Sequence, residues 1–233
     1  MSIALSGILN SCRQFVQTRV AQGCLLCGAR SRAGLLCPAC AADLPRLPVE
    51  RCPVCALPTP GGQVCGACLK RPPAFDRTEA VFRYQFPVDV LVQRLKYGGQ
   101  TVLADWLAGT LAPAARPDLI LAMPLHPRRL LERGFNQAAL LAGPLARRLA
   151  VDFAAEACRR ERDTRPQVDL PLKARRRNIR GAFTCAADLT GKRVALVDDV
   201  MTTGASLDEL AREVKRAGAV EVVAWVVART VRD

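Results

Sequence analysis

Histidine occurs once in these 233 residues, as His126, and aromatic side chains make up only 5% of the chain. With so few aromatics, the core must be packed by Ala, Leu and Val; half of all residues are hydrophobic, ample for an interior of ordinary size. A lone histidine is most often a hydrogen-bonded structural residue, so His126 is weighed as that against a ligand or catalytic role. No apolar run reaches the roughly 18 residues that span a bilayer, which argues against membrane insertion. The opening residues carry apolar side chains at helical spacing, without a basic stretch ahead of them or a convincing cleavage site. They read as an N-terminal docking helix over residues 1–23, not a signal peptide, and a cytoplasmic protein is expected. A Walker loop and a dinucleotide-binding glycine fingerprint are both missing, which removes two common phosphate-binding devices.

Lysine is scarce as well: all but five of the 34 basic residues are arginine, and the formal net charge is +13. A surface this basic attracts polyanions, either nucleic acid or phosphorylated small molecules, unless arginine is simply the routine surface cation. Residues 159–180 stand apart, with nine basic and three acidic side chains. The segment is polar, contains proline and is too long for a tight connection, as lids over active sites commonly are.

Cysteine, by contrast, is abundant and regular. Eight of eleven fall in four Cys-x-x-Cys pairs, Cys24/Cys27, Cys37/Cys40, Cys52/Cys55 and Cys65/Cys68, with nine, eleven and nine residues between successive pairs. Such knuckles bring two thiolates to one zinc ion, and metal binding supplies folding free energy that so small a segment cannot draw from its own core. A disulfide scaffold is the rival, but it needs an oxidising compartment. One or two structural zinc ions are expected, with sequential and interleaved pairing both open. Cys12, Cys158 and Cys185 read as small hydrophobic residues. A proline pair at residues 72–73 marks a boundary, which gives a ribbon over residues 24–72 and a second domain over 73–233.

In that second domain, residues 78–86 read as a strand, 88–97 as a helix ending at Gly98, and 102–111 as another helix. Residues 118–124 form a short apolar strand, followed by a loop dense in anion-binding groups: His126, Arg128, Arg129 and Arg133, then Asn136 and Gln137. Arg128 and Arg129 fit a solvated face equally well. Strand and helix then alternate through strands at 194–197 and 222–227, which predicts an α/β fold with a doubly wound, mainly parallel sheet. The most informative segment follows Val197. Asp198 and Asp199 sit at the carboxyl end of the strand, then Val200, Met201, Thr202, Thr203, Gly204, Ala205 and Ser206 lead into an amphipathic helix. Free N–H groups and hydroxyls from residues 202–206 would ring a phosphate, and two carboxylates would hold vicinal sugar hydroxyls. A cradle beside a diol clamp describes a site for a ribose 5-phosphate. A strand-end acidic pair that merely caps the next helix is the plainer alternative.

Residues 198–206 resemble the 5-phosphoribosyl 1-pyrophosphate (PRPP) motif of type I phosphoribosyltransferases at every position. With the four knuckles, the segment from Pro124 to Gln137, and Thr164, Gln167, Leu170, Arg175, Asn178 and residues 181–183, the chain resembles the ComF family of competence-associated proteins. That resemblance implies a type I phosphoribosyltransferase-like domain behind a double zinc ribbon. It implies PRPP held by residues 198–206 with His126, Arg128, Arg133, Lys173 and Arg175, and Mg²⁺ accompanying the pyrophosphate. It also implies handling of single-stranded DNA during natural transformation beside a helicase-like partner. Thr202 stands where purine-salvage enzymes of this fold carry an acidic residue, which argues against a purine acceptor.

Two functions follow. In the first, Asp198 and Asp199 hold the ribose while C1 gains oxocarbenium character, and a lid around Lys173, Arg175, Arg176 and Arg177 excludes water, with an acceptor still to be identified. In the second, a non-catalytic adaptor grips the sugar–phosphate backbone of single-stranded DNA.

Overall fold

The computed structural model describes residues 22–32, 34–163 and 177–231. The expected N-terminal helix, Cys12, and Thr164, Gln167, Leu170, Lys173, Arg175 and Arg176 lie outside the described residues. By contacts the chain divides into two compact units, Met1–Pro45 and Arg46–Asp233. The second cysteine set therefore folds as part of the larger unit.

In the first unit, β1 (Gln22–Gly23) and β2 (Arg30–Ser31) pair antiparallel, and α1 (Pro38–Ala42) follows with Cys37 as its N-cap. The larger unit begins with a short 3-10 turn at Pro60–Gly62 and α2 (Gly66–Lys70). Next come β3 (Arg77–Arg83), α3 (Val88–Tyr97), α4 (Val102–Thr110), β4 (Leu119–Ala122), α5 (Pro127–Arg133) and α6 (Gln137–Leu149). The chain closes with β5 (Asp152–Phe153), β6 (Cys158–Arg160), β7 (Phe183–Cys185), β8 (Arg193–Met201), α7 (Ala205–Arg216) and β9 (Glu221–Arg229).

Five strands form one sheet in the order β3-β9-β8-β4-β5, and every neighbouring pair is parallel. The interior strands are continuous apolar runs because both faces are covered: all of β4 is buried, as are residues 194–197 of β8 and 222–229 of β9. Edge strand β3 alternates instead, burying Thr78, Ala80 and Phe82. The helices follow the 3.6-residue period: α3 buries Val88, Leu91, Val92 and Leu95, and α7 buries Leu207, Leu210, Ala211 and Val214. The crossover from β4 through α6 to β5 steps one way along the sheet, and that from β8 through α7 to β9 steps the other. Right-handed connections in opposite directions place α6 and α7 on opposite faces. The switch point thus falls between β4 and β8, and ligands of such sheets bind beyond the carboxyl ends there.

Two boundaries differ from the sequence reading. The β8 ladder with β9 continues past Val197, pairing Asp198 with Val226, Val200 with Ala228 and Met201 with Arg229, so both aspartates are strand residues. The loop after β4 contains the short helix α5, which starts where His126 Nδ1 accepts a hydrogen bond from Arg128 N at 3.3 Å.

The free edge of β3 is covered by residues 46–54. Leu47 N donates to Val81 O at 2.9 Å, Arg51 Nη1 to Ala80 O at 2.9 Å, and Thr78 Oγ1 to Val54 O at 2.7 Å. Capping an edge in this way removes a template for unwanted strand pairing. Leu196, fully buried in β8, tests the core: Leu196→Ala is expected to cost about 3 kcal/mol of stability in chemical denaturation of the metal-loaded chain. A cost below about 1 kcal/mol would show that this strand is not central to packing.

Candidate functional site

The bend between β8 and α7 is shaped by one glycine and one arginine. Gly204 has φ of +77°, and a Cβ there would sit 2.6 Å from Met201 Cε and 3.7 Å from the Phe75 ring. Only glycine adopts that conformation without strain. Arg229, 4% exposed, lies beneath. Its Nη1 donates to Met201 O at 3.0 Å, to Thr230 O at 2.9 Å and also to Thr202 O. Among the described residues, the amides of Thr202, Thr203 and Gly204 make no backbone hydrogen bond, and Ala205 N is bonded only by Thr203 Oγ1 at 3.3 Å. Unpaired N–H groups at the start of a twelve-residue helix form a ready anion site.

Asp198 and Asp199 precede the bend on adjacent strand positions and so face opposite sides of the sheet. Each carboxylate accepts from the next backbone N–H, Asp198 Oδ1 from Asp199 N at 2.9 Å and Asp199 Oδ1 from Val200 N at 2.8 Å. Asp199 is 2% exposed, and its Oδ2 meets Lys96 Nζ at 2.6 Å. Burial works against the Lys96 charge, but Asp199 outweighs it and holds the ammonium above the ordinary lysine range. Burial, then the Asp199 charge, pushes the Asp198 carboxyl well above the usual carboxylate range.

The loop after β4 approaches the same edge. Asn136 Nδ2 donates to Met123 O at 3.1 Å while its Oδ1 caps α6 at Ala138 N, so Asn136 anchors the helix to the strand. Arg133 lies 5.2 Å over the Tyr97 ring and donates to the buried Gln137. Arg128 is exposed and paired with Glu132 at 3.0 Å and with Asp163 at 3.3 Å. His126 Nδ1 stands 4.0 Å from Asp163 Oδ1. Arg160, 5.7 Å over the Phe183 ring, connects the two loops electrostatically: burial and Arg129 depress its pKa, and Asp163 and Asp198 oppose them.

The knuckles assemble sequentially. Cys24, Cys27, Cys37 and Cys40 form one cluster and Cys52, Cys55, Cys65 and Cys68 another, each with all four sulfurs within 4.8 Å of one another. Zinc–thiolate bonds of about 2.3 Å put tetrahedral sulfurs about 3.8 Å apart; Cys27 and Cys37 are 3.8 Å apart and Cys55 and Cys65 3.6 Å. Burial raises Cys24 and Cys52, yet backbone N–H groups outweigh it and hold them at about 6 and about 7, suited to thiolate ligation. Both clusters fit zinc.

Residues 17–69 match the Double zinc ribbon domain family and residues 136–232 the Phosphoribosyl transferase domain family. The DNA utilization protein YhgH of Escherichia coli O157:H7 is 37% identical over 190 residues, covering 77% of this chain and 84% of that protein. Competence protein F of Haemophilus influenzae is 36% identical over 180 residues, 72% of this chain and 79% of its own. The chain belongs to the ComF family. Competence protein ComFC of Streptococcus pneumoniae is similar over a longer span, 25% identical across 88% of this chain and 99% of its own. This ComF-family chain combines two zinc-ribbon cysteine clusters with a mostly parallel phosphoribosyltransferase-like sheet.

Three side chains at this site were not singled out from the sequence: Lys96, Arg160 and Arg229. Lys96 closes a helix and Arg229 a strand, positions where a basic residue attracts no notice. The weak signal for Arg229 is a charge ending the apolar run of β9. Lys96→Met leaves Asp199 buried without its partner, and a stability loss of about 3–5 kcal/mol is expected in denaturant titration. A loss under about 1 kcal/mol would mean that water or other groups satisfy Asp199 without Lys96.

Proposed function

We propose that this chain binds a ribose 5-phosphate group, with PRPP as the substrate, and acts in the handling or uptake of single-stranded DNA. The supporting observation is the row of amides at Thr202, Thr203 and Gly204, unpaired among the described residues, just beyond two carboxylates at the sheet's switch point. In this reading the 5-phosphate is held by residues 202–206, through amides and the hydroxyls of Thr202, Thr203 and Ser206, with Val200 and Met201 forming the strand end beneath. Asp198 hydrogen-bonds the ribose hydroxyls, and Asp199, fixed by Lys96, sets the charge beside it. The α5 loop, with His126, Arg128 and Arg133, faces the pyrophosphate in this reading, and Lys173 and Arg175, outside the described residues, are its further cationic donors.

Oxygen donors at Asp198 and on the substrate suit Mg²⁺, which supplies charge neutralisation for pyrophosphate when bound. As pyrophosphate departs, positive charge develops at C1, and in this reading the ionised Asp198 carboxylate stabilises it. The role with DNA rests on the relatives named for DNA utilization and competence. A helicase-like protein is the partner such a role calls for.

A second reading has its own observation. Arg71 and Arg180 line a cavity of about 360 Å³ beside Ala205 and make no ion pair among the described residues. An adaptor would lay the sugar–phosphate backbone there, binding with steep salt dependence and no chemistry.

Calorimetry with PRPP and Mg²⁺ separates the two. The transferase-like reading expects saturable binding that weakens at least tenfold in the Asp198→Asn/Asp199→Asn double variant. It also expects pyrophosphate release once a base or amine acceptor is found by screening. Because the Asp198 pKa is raised, affinity that requires its ionised form must fall on acidification sooner than an ordinary carboxylate would dictate. Unchanged PRPP affinity in the double variant removes the diol clamp, and oligonucleotide binding without PRPP binding favours the adaptor.

A further inference from the structure

Arg229 spans the distance between the second cysteine cluster and the bend. On one side its Nε donates to Cys55 O at 2.8 Å; on the other its Nη1 holds the carbonyls of Met201, Thr202 and Thr230. A guanidinium offers five donors in a rigid fork, so fixing one end fixes the other. The site is buried, so the guanidinium charge needs compensation there. Four thiolates around one zinc ion retain a net negative charge, so a loaded cluster supplies it.

Peptide geometry turns this contact into an orientation. In a trans peptide the carbonyl of one residue and the N–H of the next point in opposite directions. With the carbonyls of Met201 and Thr202 drawn onto Arg229, the amides of Thr202 and Thr203 must point away from that guanidinium. A second strut runs alongside: Thr78 N donates to Pro53 O at 3.3 Å, and Thr78 Oγ1 lies 2.7 Å from Val54 O and 3.9 Å from Met201 Sδ. Both struts start from the Cys52–Cys55 knuckle and end on the residues that open the bend.

We propose that Arg229 is a positioning residue through which the Cys52/Cys55/Cys65/Cys68 centre aims the Thr202 and Thr203 amides, so that metal occupancy of this centre governs anion binding at the bend. The consequence for ligand affinity rests on the ribose 5-phosphate reading; the mechanical coupling does not. By reciprocity, a ligand on the bend tightens metal binding at this centre by the same factor.

The test uses the full chain with Cys24→Ser and Cys27→Ser, which leaves the second centre as the chelatable one. Amide exchange is followed at Thr230 and Asp208, whose N–H groups bond to Met201 O and Gly204 O, with Leu121 in β4 as the reference. Removal of zinc by a chelator should speed exchange at Thr230 and Asp208 at least tenfold and leave Leu121 unchanged. Arg229→Met should do the same with zinc retained, and Arg229→Lys should recover part of the protection. Calorimetry with ribose 5-phosphate should show at least tenfold weaker binding to Arg229→Met, and ribose 5-phosphate should raise the chelator concentration that removes zinc at equilibrium. Unchanged exchange on zinc removal overturns the proposal, as does an equal rise at Leu121, which would mean the metal holds the whole unit and not the bend. Should Arg229→Met fail to fold, the chelator arm decides alone. Should the unsubstituted chain fail to bind ribose 5-phosphate, the functional reading falls while the exchange data still decide the coupling.

Discussion

A peptide unit cannot aim its carbonyl and its N–H the same way, and the candidate site depends on that constraint. The bend ahead of helix α7 carries the amides of Thr202, Thr203 and Gly204, which have no hydrogen bond among the described residues, a condition tolerable only where water or an anion meets them. Keeping them outward requires the preceding carbonyls to be satisfied inward. Arg229 does this from a buried position, and Gly204 supplies the left-handed residue that lets the chain turn from strand to helix. Removing either feature leaves the same residues with their donors pointed elsewhere.

A buried guanidinium is expensive unless fully paired, and here one of its acceptors comes from outside the sheet. The second half of the zinc ribbon covers the β3 edge and offers the Cys55 carbonyl as an acceptor to Arg229 Nε. Edge protection, charge compensation and loop orientation thus share one element. That arrangement explains why residues 46–72 fold with the α/β unit, although their composition resembles the first ribbon half, which forms its own unit.

Much of this architecture was legible in the sequence. Four apolar residues before Asp198 and the spacing of Leu207, Leu210 and Val214 announced a strand and a helix, and α3 spans the residues its periodicity predicts. The sequential knuckle pairing was left open because Cys-x-x-Cys spacing is blind to which pairs meet. Asp198 and Asp199 read as the point where the strand ends because carboxylates are rare in parallel strands; the ladder to Val226 and Ala228 keeps them inside β8, and Lys96 makes the burial of Asp199 tolerable. Lys96 and Arg229 escaped notice because their importance lies in partners about a hundred and about thirty residues away in the chain, a relation without local pattern. Likewise Asn136 and Gln137, read as anion donors, are occupied in capping α6 and holding Arg133.

The account stands or falls on where a phosphate touches this chain. Titration of the isotopically labelled, zinc-loaded protein with ribose 5-phosphate, followed through its amide nitrogen–proton resonances, reads this directly. The amides of Thr202, Thr203 and Gly204 should move first and furthest, downfield as hydrogen bonds to phosphate form, with saturation at one equivalent. Shifts that leave these three amides untouched and concentrate at Arg71 and Arg180 would contradict it.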